Sequence, residues 1–396
     1  MSCRAASWWR RASRRIWPRI RPSTKPISGD VMDVVDLTRR LIAFDTINPP
    51  GVEAEAMAFC AALLEAGGFT CRLVPQGPGR SNLVAEKGTG AGRALAFTGH
   101  LDTVPLGAAP WRHPPHAGVI EEGRLYGRGS TDMKGGVAAF IVAALGAPVP
   151  PGGIVLLLTA GEETGSDGAR AIVEAGPLPP IGALIVAEPT ENRAVPGHKG
   201  ALWLRLVFHG VTAHGSAPEA GVNAIEAAMV ALAAIRQIDL GPAHPVMGRP
   251  TLNIGTIAGG LNTNSVPDRC EVTLDLRSVP GGDHARLVAQ LRACLPEGSE
   301  LHRIVDLPPV WTDPAEPWLA GLTTKSAARS GQPVAPSAMS YFTDASIFTP
   351  ALAEVPTVIL GPGRAELAHK TDEYVSLARL EEAVAIYRDA LDDWEG

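Results

Sequence analysis

The run Ile154-Val155-Leu156-Leu157-Leu158-Thr159-Ala160-Gly161-Glu162-Glu163 restricts the fold more than any other part of the chain. Its continuous aliphatic stretch, with Pro-Gly before it and Gly161 after, predicts a strand buried on both faces of a parallel sheet. Open α/β sheets hold ligands at the carboxyl ends of such strands, and here two adjacent carboxylates follow at once. Taken alone, Glu162 and Glu163 read equally well as a solvated cap on the next segment.

The surrounding sequence repeats the pattern. Ala94-Leu95-Ala96-Phe97-Thr98-Gly99 is a second apolar run, and it leads into His100-Leu101-Asp102. Ala183 to Ala187 is a third, ending at Glu188-Pro189. Helical patterns fall at about 34–42, 53–66, 133–145 and 167–175, with further strands at 69–74 and 82–86. Alternation of this kind predicts an α/β fold with a mainly parallel sheet covered by helices on both sides. Near residue 198 the pattern changes. Val272, Leu274 and Leu276 alternate with Glu271, Thr273, Asp275 and Arg277, as in a sheet with one wet face. Strands at 202–208, 250–258, 269–278 and 299–306, with helices at 222–238 and 282–294, give the β-α-β-β-α-β order of a ferredoxin-like unit. After Pro308-Pro309 the α/β pattern returns, with a helix at 316–330, a strand at 356–360 and a last helix at 376–392. The expected division is a catalytic domain over 32–197 and 308–396, interrupted by a smaller α+β domain over 198–307.

Composition narrows the function classes. A chain of 396 residues with 45% hydrophobic content has ample material for two or three cores, and a net charge of −6 gives no basis for nucleic-acid or membrane-surface binding. The five cysteines are dispersed, without a Cys-x-x-Cys pair, which points to free thiols in a reducing, cytoplasmic setting. Residues 1–31 differ from the rest. Positions 1–29 carry eight bases and no acid, but no apolar run of about 7–15 residues such as a secretory signal needs. They read as an extension outside the fold, disordered, a targeting segment, or preceding a true start at Met32.

His100, Asp102, Glu162, Glu163 and Glu188 all follow apolar strands, Asp132 precedes a helix, and His369 lies in a loop near the end. In a parallel sheet the strand ends share one edge, so these residues can converge. Each has an ordinary alternative: a satisfied loop histidine, a turn residue, a helix cap. Together, two imidazoles and several carboxylates without cysteine suit a pair of divalent cations such as zinc. That many carboxylates in one crevice require cationic neutralisation.

Gly99-His100-Leu101-Asp102-Thr103-Val104-Pro105, Gly127-Arg128-Gly129-Ser130-Thr131-Asp132-Met133-Lys134-Gly135-Gly136, Gly161-Glu162-Glu163 and Glu188-Pro189-Thr190 resemble the co-catalytic zinc aminoacylase and carboxypeptidase family. Acetylornithine deacetylase, succinyl-diaminopimelate desuccinylase and aminoacylase are among its members. The resemblance runs from about Met32 to the end. It implies a zinc-peptidase-like catalytic domain, a lid and dimerisation domain, and two divalent metals, zinc with cobalt as a substitute. By resemblance, His100 and Glu188 hold one metal, Glu163 and His369 the other, and Asp132 bridges. Asp102 orients the His100 imidazole and Glu162 is the general base. His209 to Ser216, with Gly221-Val222-Asn223, resembles the family's lid motif, so His214 is expected to reach the active site of a homodimer partner. Asn264, Arg277 and Thr343 fall where relatives bind substrate. Arg277 reads equally well as a paired strand arginine. The implied reaction is hydrolysis of an N-acyl amino acid. A dipeptidase or carboxypeptidase is the alternative within the family, and a non-catalytic metal-binding scaffold the alternative outside it.

Overall fold

The carboxyl ends of three parallel strands meet level with one another, and this register organises the molecule. A computed structural model describes residues 33–90 and 92–396; the basic segment 1–31 lies outside the described residues. Six strands form the larger sheet, in the spatial order Thr70–Gly77, Arg80–Lys87, Ile154–Thr159, Ala94–His100, Ile181–Val186, Thr357–Ile359. The last four run parallel to one another. The first two form a hairpin at one edge, Arg80–Lys87 running antiparallel to both its neighbours; the short turn within the hairpin leaves no room for the crossover that parallel pairing needs. His100 lies opposite Thr159, and Thr98 opposite Val186. The residues just beyond each strand therefore leave the sheet side by side.

Strand Ile154–Thr159 is buried throughout, as its unbroken apolar run predicts. Ile154, Leu156 and Leu158 face a core shared with helices Val34–Ala43, Ala54–Ala66, Gly135–Gly146 and Leu377–Asp392. Val155 and Leu157 face a second core with helices Asp167–Glu174 and Ala345–Ala351. Alternate residues point to opposite faces, so a strand covered on both sides has no place for a charge until it ends.

The smaller sheet is antiparallel, in the order Thr251–Gly259, Arg269–Ser278, Gly200–His209, Glu300–Leu307. Helices Ala224–Ile235 and His284–Ala293 cover one face through Leu202, Leu204, Leu206, Phe208, Val272, Leu274 and Leu276. Asn223 and Asp283 start these helices by accepting backbone N–H bonds in the first turn. The chain passes between the two sheets at Gly197–His198 and Val310–Trp311, which pair with each other.

Two features escape the sequence patterns. Helix Ala345–Ala351 is seven residues long and contains Pro350, so it carries no periodic signature. A three-stranded sheet of Val119–Glu121, Arg124–Tyr126 and Tyr374–Ser376 uses strands too short for alternation to register. The four described cysteines are free.

Candidate active site

Gly161 ends the central strand at φ 90°, a backbone region that glycine enters without steric cost. The chain turns there into the short 3-10 segment Glu162–Thr164. This turn sends the two carboxylates in different directions. Glu163 Oε2 lies 3.0 Å from His369 Nε2. Glu162 groups instead with His100 and Glu188, their ligand-type atoms lying within 4.8 Å of one another.

Asp132 lies between the two histidines. Its Oδ1 is 3.1 Å from His100 Nε2 and its Oδ2 is 3.4 Å from His369 Nε2. His100 Nε2 is also 3.5 Å from Glu188 Oε1. Helix Gly135–Gly146 brings Asp132 this close because Gly136 packs against the end of strand Ile181–Val186. A Cβ on Gly136 would lie 2.1 Å from the Ala187 carbonyl oxygen.

Asp102 is fully buried and serves both sides of the turn. Its carbonyl oxygen is 2.9 Å from His100 Nδ1, while its carboxylate is 3.5 Å from the same nitrogen. The carboxylate accepts the backbone N–H groups of Glu162 and Glu163, at 3.2 and 3.3 Å, and the amide of Asn48 at 3.0 Å. The direct link to the imidazole is therefore the Asp102 carbonyl, and the side chain mainly fixes the 162–163 backbone. Asn48 also donates to Thr164 Oγ1. Its Asn-Pro-Pro-Gly turn reads from sequence only as a helix stop.

Electrostatics mark the same groups. Burial, reinforced by Asp132 and Glu163, pushes the Glu188 carboxyl up to about 8. Burial, with Glu188, Glu163 and Asp344 adding, holds Glu162 well above the usual carboxylate range. Asp132 and Glu163 hold His369 up at about 10. Burial works against ionised Asp132, but hydrogen bonds from His100 and His369 keep it below the usual range. A divalent cation would reverse the upward push on the glutamates and replace the histidine protons. Asp132, Glu163 and His100 also form a group within metal-ligand reach. Imidazole and carboxylate donors of this kind suit borderline dications.

The remaining predicted residues make no hydrogen bond or ion pair with this cluster. His214 is exposed, with Nδ1 2.7 Å from Ser216 Oγ. Asn264 lies beside it, its carbonyl accepting the Gly215 N–H at 2.7 Å. Arg277 forms a bidentate pair with Asp275, at 2.9 and 3.1 Å, so the paired-arginine reading describes its state here. Its guanidinium also faces the Trp203 and Phe342 rings. Thr343 is fully buried; its hydroxyl meets His198 Nε2 at 3.0 Å and accepts the Ala345 N–H.

Comparison with known proteins decides the family. Residues 96–393 match the model of peptidase family M20/M25/M40. This chain belongs to that family. It is a metal-dependent hydrolase acting on amide bonds. Acetylornithine deacetylase from Proteus mirabilis is 32% identical over 88% of this chain and 93% of its own length. A probable succinyl-diaminopimelate desuccinylase from Staphylococcus epidermidis is 29% identical over 90% of this chain and 96% of its own. Among solved structures, an M20 family metallo-carboxypeptidase from Sulfolobus solfataricus superposes with a TM-score of 0.73 at 18% identity, covering 91% of this chain and 99% of that one. A Bacillus subtilis protein described as a dinuclear metal binding peptidase of the same family gives 0.66 at 17% identity, covering 90% and 96%. The likeness to solved structures establishes the fold, a catalytic body with a mainly parallel sheet and a separate antiparallel-sheet domain.

Proposed function

We propose that the chain removes the acyl group from an N-acyl amino acid at a site holding two divalent metals, zinc by preference. The observation that carries the reading is Asp132, whose two carboxylate oxygens face the imidazoles of His100 and His369. In this reading His100 and Glu188 hold one ion, Glu163 and His369 the other, and Asp132 is shared. Bound there, the ions would polarise the acyl carbonyl and acidify a water.

The chain's own residues do the rest. Glu162 is buried beside His100 and Glu188 and makes no ion pair with either histidine. It accepts the proton of the attacking water and returns it to the departing amine nitrogen. Asp102 holds Glu162 and Glu163 in their divergent orientations through their backbone N–H groups.

The domain junctions at 197/198 and 307/308, the dimer and the role of His214 belong to the same proposal. Strand Thr251–Gly259 has a neighbour on one side only. Ile257 on this strand and Leu261 just after it are exposed, the latter 83% accessible, as are Met229 and Val230 on helix Ala224–Ile235, whose Ile225 lies against Gly259. A free strand edge with apolar surface beside it favours pairing with a second copy. That copy's His214 would then supply an oxyanion donor, with Asn264, Arg277 and Thr343 contributing to substrate recognition. A cytoplasmic setting is part of this reading. No helix among the described residues is long and apolar enough to cross a membrane.

The test is a panel of N-acetylornithine, N-succinyl-diaminopimelate, simple N-acetyl amino acids and dipeptides, assayed with zinc-loaded protein. Turnover of an N-acyl amino acid above every dipeptide is expected. Preference for dipeptides would replace the deacylase reading with a peptidase one, and inactivity on the whole panel would point to a scaffold.

A further inference from the structure

The loops bearing Asp132 and His369 are fastened together by a buried ion pair that touches neither carboxylate nor imidazole. Glu373 is fully buried. Its Oε2 accepts Arg128 Nη1 at 2.6 Å and the Gly129 N–H at 3.1 Å. Its Oε1 accepts the backbone N–H groups of Thr131 at 2.8 Å and Asp132 at 3.1 Å. Arg128, 1% accessible, donates onward to the carbonyls of Lys370 and Pro105, both at 3.2 Å. One carboxylate thus satisfies three otherwise unpaired backbone donors and pairs with a buried guanidinium through Nη1.

We infer that Glu373 and Arg128 are positioning residues that set the separation of Asp132 and His369, and so the affinity of the second metal. The inference rests on the two-metal reading above. The two halves of the cluster are supported differently. His100 and Glu188 follow strands of the sheet directly, whereas His369 lies in a loop, is 55% accessible and has φ 63°. The Arg128–Glu373 pair bonds into that loop at the His369 and Lys370 carbonyls, and into the Asp132 loop at the N–H groups of Gly129, Thr131 and Asp132. Replacing the carboxylate by an amide presents an N–H₂ group where only acceptors fit. The loops then lose their common anchor while the strand-borne ligands keep theirs. Outer contacts of this kind typically change metal affinity by about 10–100-fold.

The experiment is zinc titration of the metal-free protein by calorimetry, with stoichiometry checked by elemental analysis, on wild type, Glu373→Gln and Arg128→Lys. The wild type should take up two ions. Both variants should bind the second ion about 10–100-fold more weakly, with the first, which shares Asp132 but keeps His100 and Glu188, weakened by a clearly smaller factor. Equal weakening of both ions would overturn the inference in favour of a general structural defect, as would an unchanged second step. Fewer than two ions in the wild type would instead overturn the two-metal reading on which it depends. Arg128→Lys keeps the charge and loses the fork, so it provides the test should Glu373→Gln fail to fold.

Discussion

The two sheets use opposite arrangements of polar residues. In the six-stranded sheet the parallel strands are almost wholly apolar and buried, and the charged groups are displaced to their ends. In the four-stranded sheet polar and apolar residues alternate, and one face stays partly wet. The consequence is visible in the candidate residues. His100, Asp132, Glu162, Glu163, Glu188 and His369 come together within a single chain, although 269 positions separate the first from the last. His214 and Asn264, in loops beside the smaller sheet, and Arg277, on one of its strands, remain at the surface or internally paired. A doubly buried parallel strand can place a charge only where it stops, so its position in sequence fixes its position in space. A residue of a one-sided sheet can face solvent, a neighbour or a second molecule, and its sequence position decides none of these.

The contrast can be broken most sharply at Glu162, the proposed base. Glu162→Ala should lower turnover by about 10²–10⁴-fold while two metals remain bound; metal loss in this variant would make Glu162 a ligand and undo the division of labour with Glu163. Next in size is His214→Ala, expected to lower turnover by about 10²–10³-fold without altering metal content. Mixing His214→Ala with Glu162→Ala subunits should restore part of the activity if each site borrows from its neighbour. No recovery in heterodimers shown to form would confine His214 to its own subunit.

The strands themselves give a smaller and purely structural contrast. Leu156→Ala in the doubly covered strand should cost about 2–5 kcal/mol in chemical denaturation. Ile257→Ser on the open edge should change monomer stability by no more than about 0.5 kcal/mol but weaken dimerisation in sedimentation experiments. Comparable destabilisation by both would remove the distinction between the sheets.

Much of this was legible in the sequence because burial on two faces leaves so few options. The three apolar runs identified the central strands and the residues beyond them, and the change to alternation at 198 located the second sheet. Glu373 was not legible. It follows His369 by four positions in a loop without periodicity, and its importance comes from backbone N–H groups more than 240 positions away. Asn48 was hidden for a similar reason, since a turn-forming motif already accounted for it. His198 appeared ordinary as one histidine among ten, yet it is buried at the junction of the two sheets against Thr343 and the Lys199 carbonyl.

His198 also yields a pH test. Burial pushes its pKa from the ordinary 6.5 down to about 4. Between those values the unfolded chain binds more protons than the folded one, so stability falls as pH drops from about 6.5 towards 4. The full contribution is about 3 kcal/mol. Denaturation midpoints of His198→Gln should show a correspondingly shallower loss across this window than wild type. An identical slope would mean that His198 is protonated without penalty in the folded state.

The most direct test of the account is anomalous X-ray scattering from crystals of the zinc-loaded protein. Two peaks are predicted, one between His100 and Glu188 and one between Glu163 and His369, with an Asp132 oxygen on each and Glu162 on neither. A single peak, or two peaks with Glu162 as a ligand, would contradict it.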